Sequence, residues 1–149
     1  MNSPSRPVAL VTGSATGIGA ACVRFFARNG WDVGVTWLDD ETRLLAEAVA
    51  VDCVASGART VLIELNVTSD ESCTAAVDSI ATRLGRIDAL VNCAGTTRFI
   101  PHADLDALPE SEFLRTYDVN LVGTFRMIRA CRDELAKSGR GAVVNISSI

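Results

Sequence analysis

Five short apolar runs punctuate the chain: Val8–Thr12, Val33–Trp37, Thr60–Leu65, Ala89–Asn92 and Ala142–Ile146. The stretches between them carry helical spacing. Ile18, Ala21, Cys22, Phe25 and Phe26 recur at that spacing until Asn29-Gly30, and Leu45, Ala48 and Val49 share one face of a second helix that ends at Gly57. Thr68-Ser69-Asp70-Glu71 has the form of a capping box, and it opens a helix whose Ala76, Val77, Ile80 and Leu84 form an apolar stripe before Gly85. Pro109 suits the first turn of a long helix reaching about Lys137. Strands that alternate with helices cannot pair as hairpins, so they imply a parallel sheet with right-handed crossovers and helices on both faces. A sheet covered on both faces needs much apolar residue, and 48% of this chain is hydrophobic. No linker or repeat interrupts the pattern, so residues 1–149 are expected to form a single domain.

Charge and cysteine usage exclude several classes of function. The net charge is −4, and the Arg and Lys residues are scattered rather than clustered, which argues against a nucleic-acid groove. Cys22, Cys53, Cys73, Cys93 and Cys131 are odd in number and widely spaced, so neither a disulfide framework nor a zinc site is expected. No metal cluster stands out elsewhere. The start, MNSPSRP, lacks the apolar core of a secretory leader, and no apolar run approaches the ~18 residues of a membrane span. The expected setting is cytoplasmic and reducing.

Gly13-Ser14-Ala15-Thr16-Gly17-Ile18-Gly19 lies directly after the first strand and directly before a helix. Glycines in such a turn allow positive φ and let backbone approach a pyrophosphate, whose charge then meets helix N-terminal amides. A tight strand-to-helix connection alone would also use them. The turn is not a kinase-type phosphate loop, because no Gly-Lys-Ser/Thr follows.

The spacing G-x-x-x-G-x-G in Thr12–Gly19 resembles the cofactor motif of the short-chain dehydrogenases/reductases, and three further segments agree in order. Asn92-Cys93-Ala94-Gly95 is similar to the family's N-N-A-G, Asn120-Leu121-Val122-Gly123 to its N-L-x-G, and Asn145-Ile146-Ser147-Ser148 to the segment carrying its catalytic serine. The resemblance covers essentially the whole chain. It implies a Rossmann-type α/β fold, a doubly wound sheet of strand order 3-2-1-4-5, and hydride transfer between NAD(P)(H) and a carbonyl or secondary alcohol. By the same resemblance Gly13, Ser14, Thr16, Gly17, Ile18 and Gly19 hold the cofactor phosphates. Trp37, Leu38, Asn66, Val67, Asn92, Ala94 and Gly95 take the adenosine side. Asn120 and Ser148 are the implied catalytic residues: Asn120 holds a relay water through its helix backbone, and Ser148 hydrogen-bonds the substrate oxygen. A homo-oligomer is implied as well.

Three positions depart from the family pattern. Cys93 replaces the second asparagine of N-N-A-G and reads as a small core residue rather than a nucleophile. Asn66 stands where the family has an aspartate near the adenine amino group, and its amide oxygen could accept the same hydrogen bond. After the second strand come Trp37-Leu38-Asp39-Asp40-Glu41, whose acids would repel a 2′-phosphate with no Arg or Lys expected nearby, so the expectation leans to NAD(H). His102, after Pro101, reads as a surface-loop residue, and Asp104, Asp106, Glu110 and Glu112 as a solvated helix start. Trp31 and Trp37 flank the second strand, where they could pack under the adenine or simply close the strand ends.

The family's Y-x-x-x-K pair, which exchanges the proton, would follow the serine. Tyr117 precedes it and has Leu121 four residues on. The expectation is therefore a domain incomplete at its C-terminus and inactive by itself, belonging to an oxidoreductase of the 3-oxoacyl reductase or sugar or steroid dehydrogenase kind. The alternative is a non-catalytic nucleotide-binding or interaction domain.

Overall fold

The computed structural model describes residues 6–148; Met1–Ser5, on which the expectation about a secretory leader falls, and Ile149 lie outside the described residues. The strands are β1 (Val8–Val11), β2 (Asp32–Trp37), β3 (Thr60–Glu64), β4 (Ala89–Asn92) and β5 (Ala142–Asn145). They form one parallel sheet in the order β3-β2-β1-β4-β5, as the resemblance implied. The helices are α1 (Gly17–Arg28), α2 (Asp40–Ala55), α3 (Asp70–Leu84), α4 (Glu110–Tyr117) and α5 (Gly123–Ser138).

Strand alternation divides the core into two layers. Leu10 and Leu90 face α3 and α5, where they meet Ile80, Met127 and Leu135. Val11 and Val91 face α1 and α2, among Val23, Val33, Val35 and Val49. β1 is buried along its whole length, which is why its sequence is a continuous apolar run rather than an alternating one. β5 lies at the sheet edge with Val143 and Val144 exposed.

Several helix faces differ from the sequence expectation. In α1 the buried residues are Gly19, Ala20, Val23 and Ala27, whereas Ile18 and Phe25 are exposed. The helix lies so close to the sheet that only small side chains fit beneath it. Phe26 instead packs on its flank against Trp31, ring centroids 4.9 Å apart, so Trp31 is a strand-end packing residue. In α2 the buried stripe is Ala46, Val49 and Cys53, and Leu45 is exposed. The cap of α3 falls one residue later than expected: Ser69 Oγ accepts from the Ser72 amide, because the Thr68 hydroxyl is spent on Asn66. Ala76, Val77, Ile80 and Leu84 are buried as the spacing indicated. Pro109 is the residue before α4 rather than its first turn, and the expected single helix is split by a π-turn at Asp118–Val122.

At the end of the sheet where the strands begin, two buried carboxylates tie loops to strands. Asp32 accepts from the Arg59 side chain and amide at 2.7 and 2.9 Å. Asp88 accepts from Arg86 at 2.6 and 2.8 Å and from the Val8 amide at 2.9 Å. Burial disfavours the Asp88 carboxylate, but the Arg86 and Val8 hydrogen bonds outweigh it and hold the group below the usual aspartate range. A lowered folded pKa stabilises the fold above the unfolded value of about 3.9, and the contribution is lost as pH falls through the lower folded value. Asp88→Asn is expected to cost about 3–5 kcal/mol at neutral pH. Urea melts from pH 7 to 2.5 should show a shallower acid loss in the variant.

Candidate functional site

β1 and β4 are neighbours in the sheet, yet the chain leaves β1 towards β2 and arrives at β4 from β3. Their carboxyl ends are therefore the point where connections diverge and a crevice opens. Thr12 holds the divergence: its hydroxyl accepts from the Cys93 and Ala94 amides at 3.0 and 2.9 Å. Gly13 then turns with φ +62°, and a Cβ there would stand 2.8 Å from the Ala94 backbone. A Cβ on Gly19 would meet the Gly13 carbonyl oxygen at 2.3 Å, so the turn folds tightly onto the first residues of α1.

Above this turn lies an open cavity of about 500 Å³. Gly13, Thr16, Gly17, Ile18 and Gly19 form one wall. Trp37, Leu38, Asn66 and Val67 form a second, and Ala94 and Gly95 a third. Eleven expected positions thus converge from the ends of four strands. Gly17 has φ +53°, and a Cβ added there would meet nothing within 4 Å. The α1 N-terminus faces this space without a side-chain cap, whereas α2 and α3 are capped by Asp39 and Ser69. Amides left to a ligand at a helix start suit an anion.

Two of the expected cofactor residues, Ser14 and Asn92, do not reach the cavity. The β1–β2 ladder ends at the Val11–Val35 pair, so the Thr36 amide bonds at 2.7 Å to Ser14 Oγ, which is fully buried beneath the turn. Asn92 is buried in β4, and its amide donates at 2.9 Å to Asn145 Oδ1 on β5. Asn66 lines the cavity, but its Oδ1 already accepts from the Thr68 amide and hydroxyl, so that oxygen is committed to the turn rather than to an adenine.

Asn120 lies in the π-turn and clamps one residue of the cavity wall. Its Oδ1 accepts from the Thr96 amide at 2.8 Å, and its Nδ2 donates to the Thr96 carbonyl at 3.0 Å. Its own carbonyl accepts from the Thr124 hydroxyl at 2.9 Å. Ser148 follows β5 on an exposed segment and lines neither this cavity nor a shallower one between Thr97 and Leu121.

Ala15, Thr36, Thr42, Leu65, Cys93, Thr96, Arg115, Val119 and Ile146 also line the cavity, and sequence reasoning did not name them as site residues. Arg115 bonds to Thr96 and to Glu112, which Arg98 also approaches; Glu112 is thus an ion-pair partner rather than a solvated acid. Asp104 caps the short turn Leu105–Ala107, and His102 is exposed. Cys93 is half-buried, and burial with the nearby Cys22 raises its thiol, the opposite of nucleophile activation. Burial pushes Cys73 up to about 11 and Cys131 up to about 12. All five thiols are free, and no three His, Cys, Asp or Glu among the described residues are placed to hold a metal.

The α2 start contradicts one premise about charge. Asp39 is spent on a capping box with Thr42, whose hydroxyl also takes the Leu38 and Asp39 amides. Arg43 stands 5.4 Å over the Trp37 ring, so a cation does lie nearby, paired with Glu47 at 3.1 Å.

Strand order and the crevice at the switch point define a doubly wound, Rossmann-type α/β protein. A family model described as short chain dehydrogenase matches residues 7–149, and the chain belongs to the short-chain dehydrogenase/reductase family. A solved structure from Burkholderia xenovorans, described as a short-chain dehydrogenase/reductase, is 46% identical with TM-score 0.94, over 99% of this chain and 61% of that one. D-threitol dehydrogenase of Mycolicibacterium smegmatis is 37% identical, over 95% of this chain and 52% of its own length. A 3-oxoacyl acyl-carrier-protein reductase of Staphylococcus aureus is 32% identical, over 95% of this chain and 55% of its own. The chain therefore spans about half the length of the curated relatives it matches. No helix among the described residues is long and apolar enough to cross a membrane.

Thr12→Val leaves the Cys93 and Ala94 amides without their acceptor and is expected to cost about 2–4 kcal/mol, whereas Thr12→Ser stays within about 1 kcal/mol of the parent. Equilibrium denaturation of the three proteins checks this.

Proposed function

We propose that the cavity binds NAD(P)(H) and that the protein is an oxidoreductase acting on a carbonyl or secondary alcohol. One observation carries the reading: an uncapped helix start and a left-handed Gly17 whose missing side chain leaves open space, both at the sheet's switch point. Gly13, Gly17 and Gly19 would let backbone approach the pyrophosphate, and Trp37, Leu38 and Val67 would wall the adenosine. Bound nicotinamide would supply the hydride chemistry. Ser148 would hydrogen-bond the substrate oxygen, and Asn120 would hold the Thr96 wall. Relatives named for D-threitol and for 3-oxoacyl groups fit a small alcohol or carbonyl compound without choosing between them.

The same reading favours NAD(H). Asp39, Asp40 and Glu41 stand beside Trp37, Arg43 is offset by Glu47, and the Leu38 and Asp39 amides are already engaged by Thr42. A 2′-phosphate would meet net negative charge. Calorimetric titration with NADH and NADPH should give tighter NADH binding. Gly17→Ala should weaken both by at least about tenfold while costing roughly 1–2 kcal/mol for the left-handed backbone. Absence of binding by the parent, or unchanged affinity in the folded variant, contradicts the cofactor reading; NADPH tighter by about tenfold contradicts the preference alone.

Five free thiols accord with a reducing, cytoplasmic setting. Self-association is supported by Phe113, Tyr117, Leu121 and Phe125, which recur every four residues and are all exposed. Light scattering should find an oligomer that Phe125→Glu shifts towards monomer. A monomeric parent at high micromolar concentration contradicts the proposal.

A further inference from the structure

Arg126 lies one turn into α5 with its side chain half-buried. Its Nη1 donates to Asp118 Oδ1 at 2.8 Å and to the Val67 carbonyl at 3.4 Å, and its Nε lies 3.8 Å from Asp70, which also pairs with Arg129. The bond to Asp118 is unusual for a helix. Over the eight residues between them a regular α-helix turns about 800°, which leaves the two side chains about 80° apart around the axis. One residue absorbed by the π-turn removes about 100° and returns them to within about 20° of a common line. The long Arg126 side chain then reaches back along the helix to Asp118. The widened turn at Asp118–Val122, closed by the Gly123 amide on the Asp118 carbonyl, is the geometry that lets this pair form.

The same junction presses on the cavity. A Cβ on Gly123 would stand 2.8 Å from Val67 Cγ2, so the helix packs directly on a wall residue at the point where Arg126 holds the Val67 carbonyl. Asn120 is the middle residue of the π-turn, and its side chain clamps Thr96 through both polar atoms. We propose that Arg126 locks the π-turn and is thereby the positioning residue for Asn120 and Thr96. The lock stands on the helix geometry alone; only its effect on nucleotide affinity rests on the cofactor reading above.

Amide exchange followed by NMR on the 149-residue chain tests the lock without any ligand. In Arg126→Met the Thr96 amide should exchange at least about tenfold faster, while the Leu10 and Val35 amides of the inner strands change less than about twofold. Asp118→Ala removes the other partner and should reproduce the effect even if the arginine variant does not fold. Adding Arg126→Met to Asp118→Ala should accelerate Thr96 no further, since both remove one interaction. Arg126→Lys keeps the charge but not the fork and should fall between. Unchanged Thr96 exchange in a folded variant, equal acceleration across the sheet, or multiplicative effects in the double variant would overturn the lock. Nucleotide affinity, measured in parallel, should fall about tenfold in the same variants; a parent chain that binds neither nucleotide refutes the cofactor reading, while Thr96 exchange still decides the lock.

Discussion

Everything at the carboxyl end of the sheet depends on the hydroxyl of Thr12. β1 and β4 still pair where the Thr12 amide meets the Val91 carbonyl, and beyond that point the chains separate because each must feed a different side of the sheet. Separation exposes backbone amides that no strand can satisfy. One hydroxyl accepts two of them, and that close join brings Gly13 against Ala94 and Gly19 against Gly13. The cavity is the space left above this join, so its depth and width follow from how near three backbones can approach.

A second constraint acts from the side. The helix from Glu110 to Ser138 crosses behind the β4 loop, and its π-turn sets the angle at which Asn120 meets Thr96. Wall residues therefore come in two kinds: those held by glycine-permitted backbone contact on the α1 side, and those held by side-chain clamps on the α5 side. The first kind is a matter of sterics and tolerates little substitution. The second is a matter of ion pairing, and Arg126, Asp118 and Asp70 form a small charge network in which each member changes the others.

Charge at the opposite end of the sheet serves a different purpose. Asp32 and Asp88 are buried where loops enter β2 and β4, and the arginines on them are structural ties rather than ligand donors. Their placement explains how a chain of net charge −4 carries paired arginines without a basic face. Family membership joins this architecture to relatives named for different substrates.

The parallel sheet and the glycine-rich turn were legible in the sequence because each rests on local pattern: continuous apolar runs, helical stripes, and glycine where φ must be positive; the strand order came from the family resemblance. Eleven of the site residues that the resemblance implied line one cavity, since strand ends and the turns after them are fixed along the chain. Burial direction and hydrogen-bond competition were not legible. Ser14 and Asn92 belong to recognisable motifs, yet the Thr36 amide and Asn145 claim their side chains, and those partners lie on other strands. Thr68 lost the α3 cap to Ser69 because Asn66 took its hydroxyl. Which face of α1 is buried depended on how closely it lies on the sheet, and the π-turn depended on a residue eight positions away and on Val67 across the domain. Local pattern determines which element forms and where it ends; which polar group satisfies which is decided only when all elements are packed, because each buried donor takes the nearest acceptor left unclaimed.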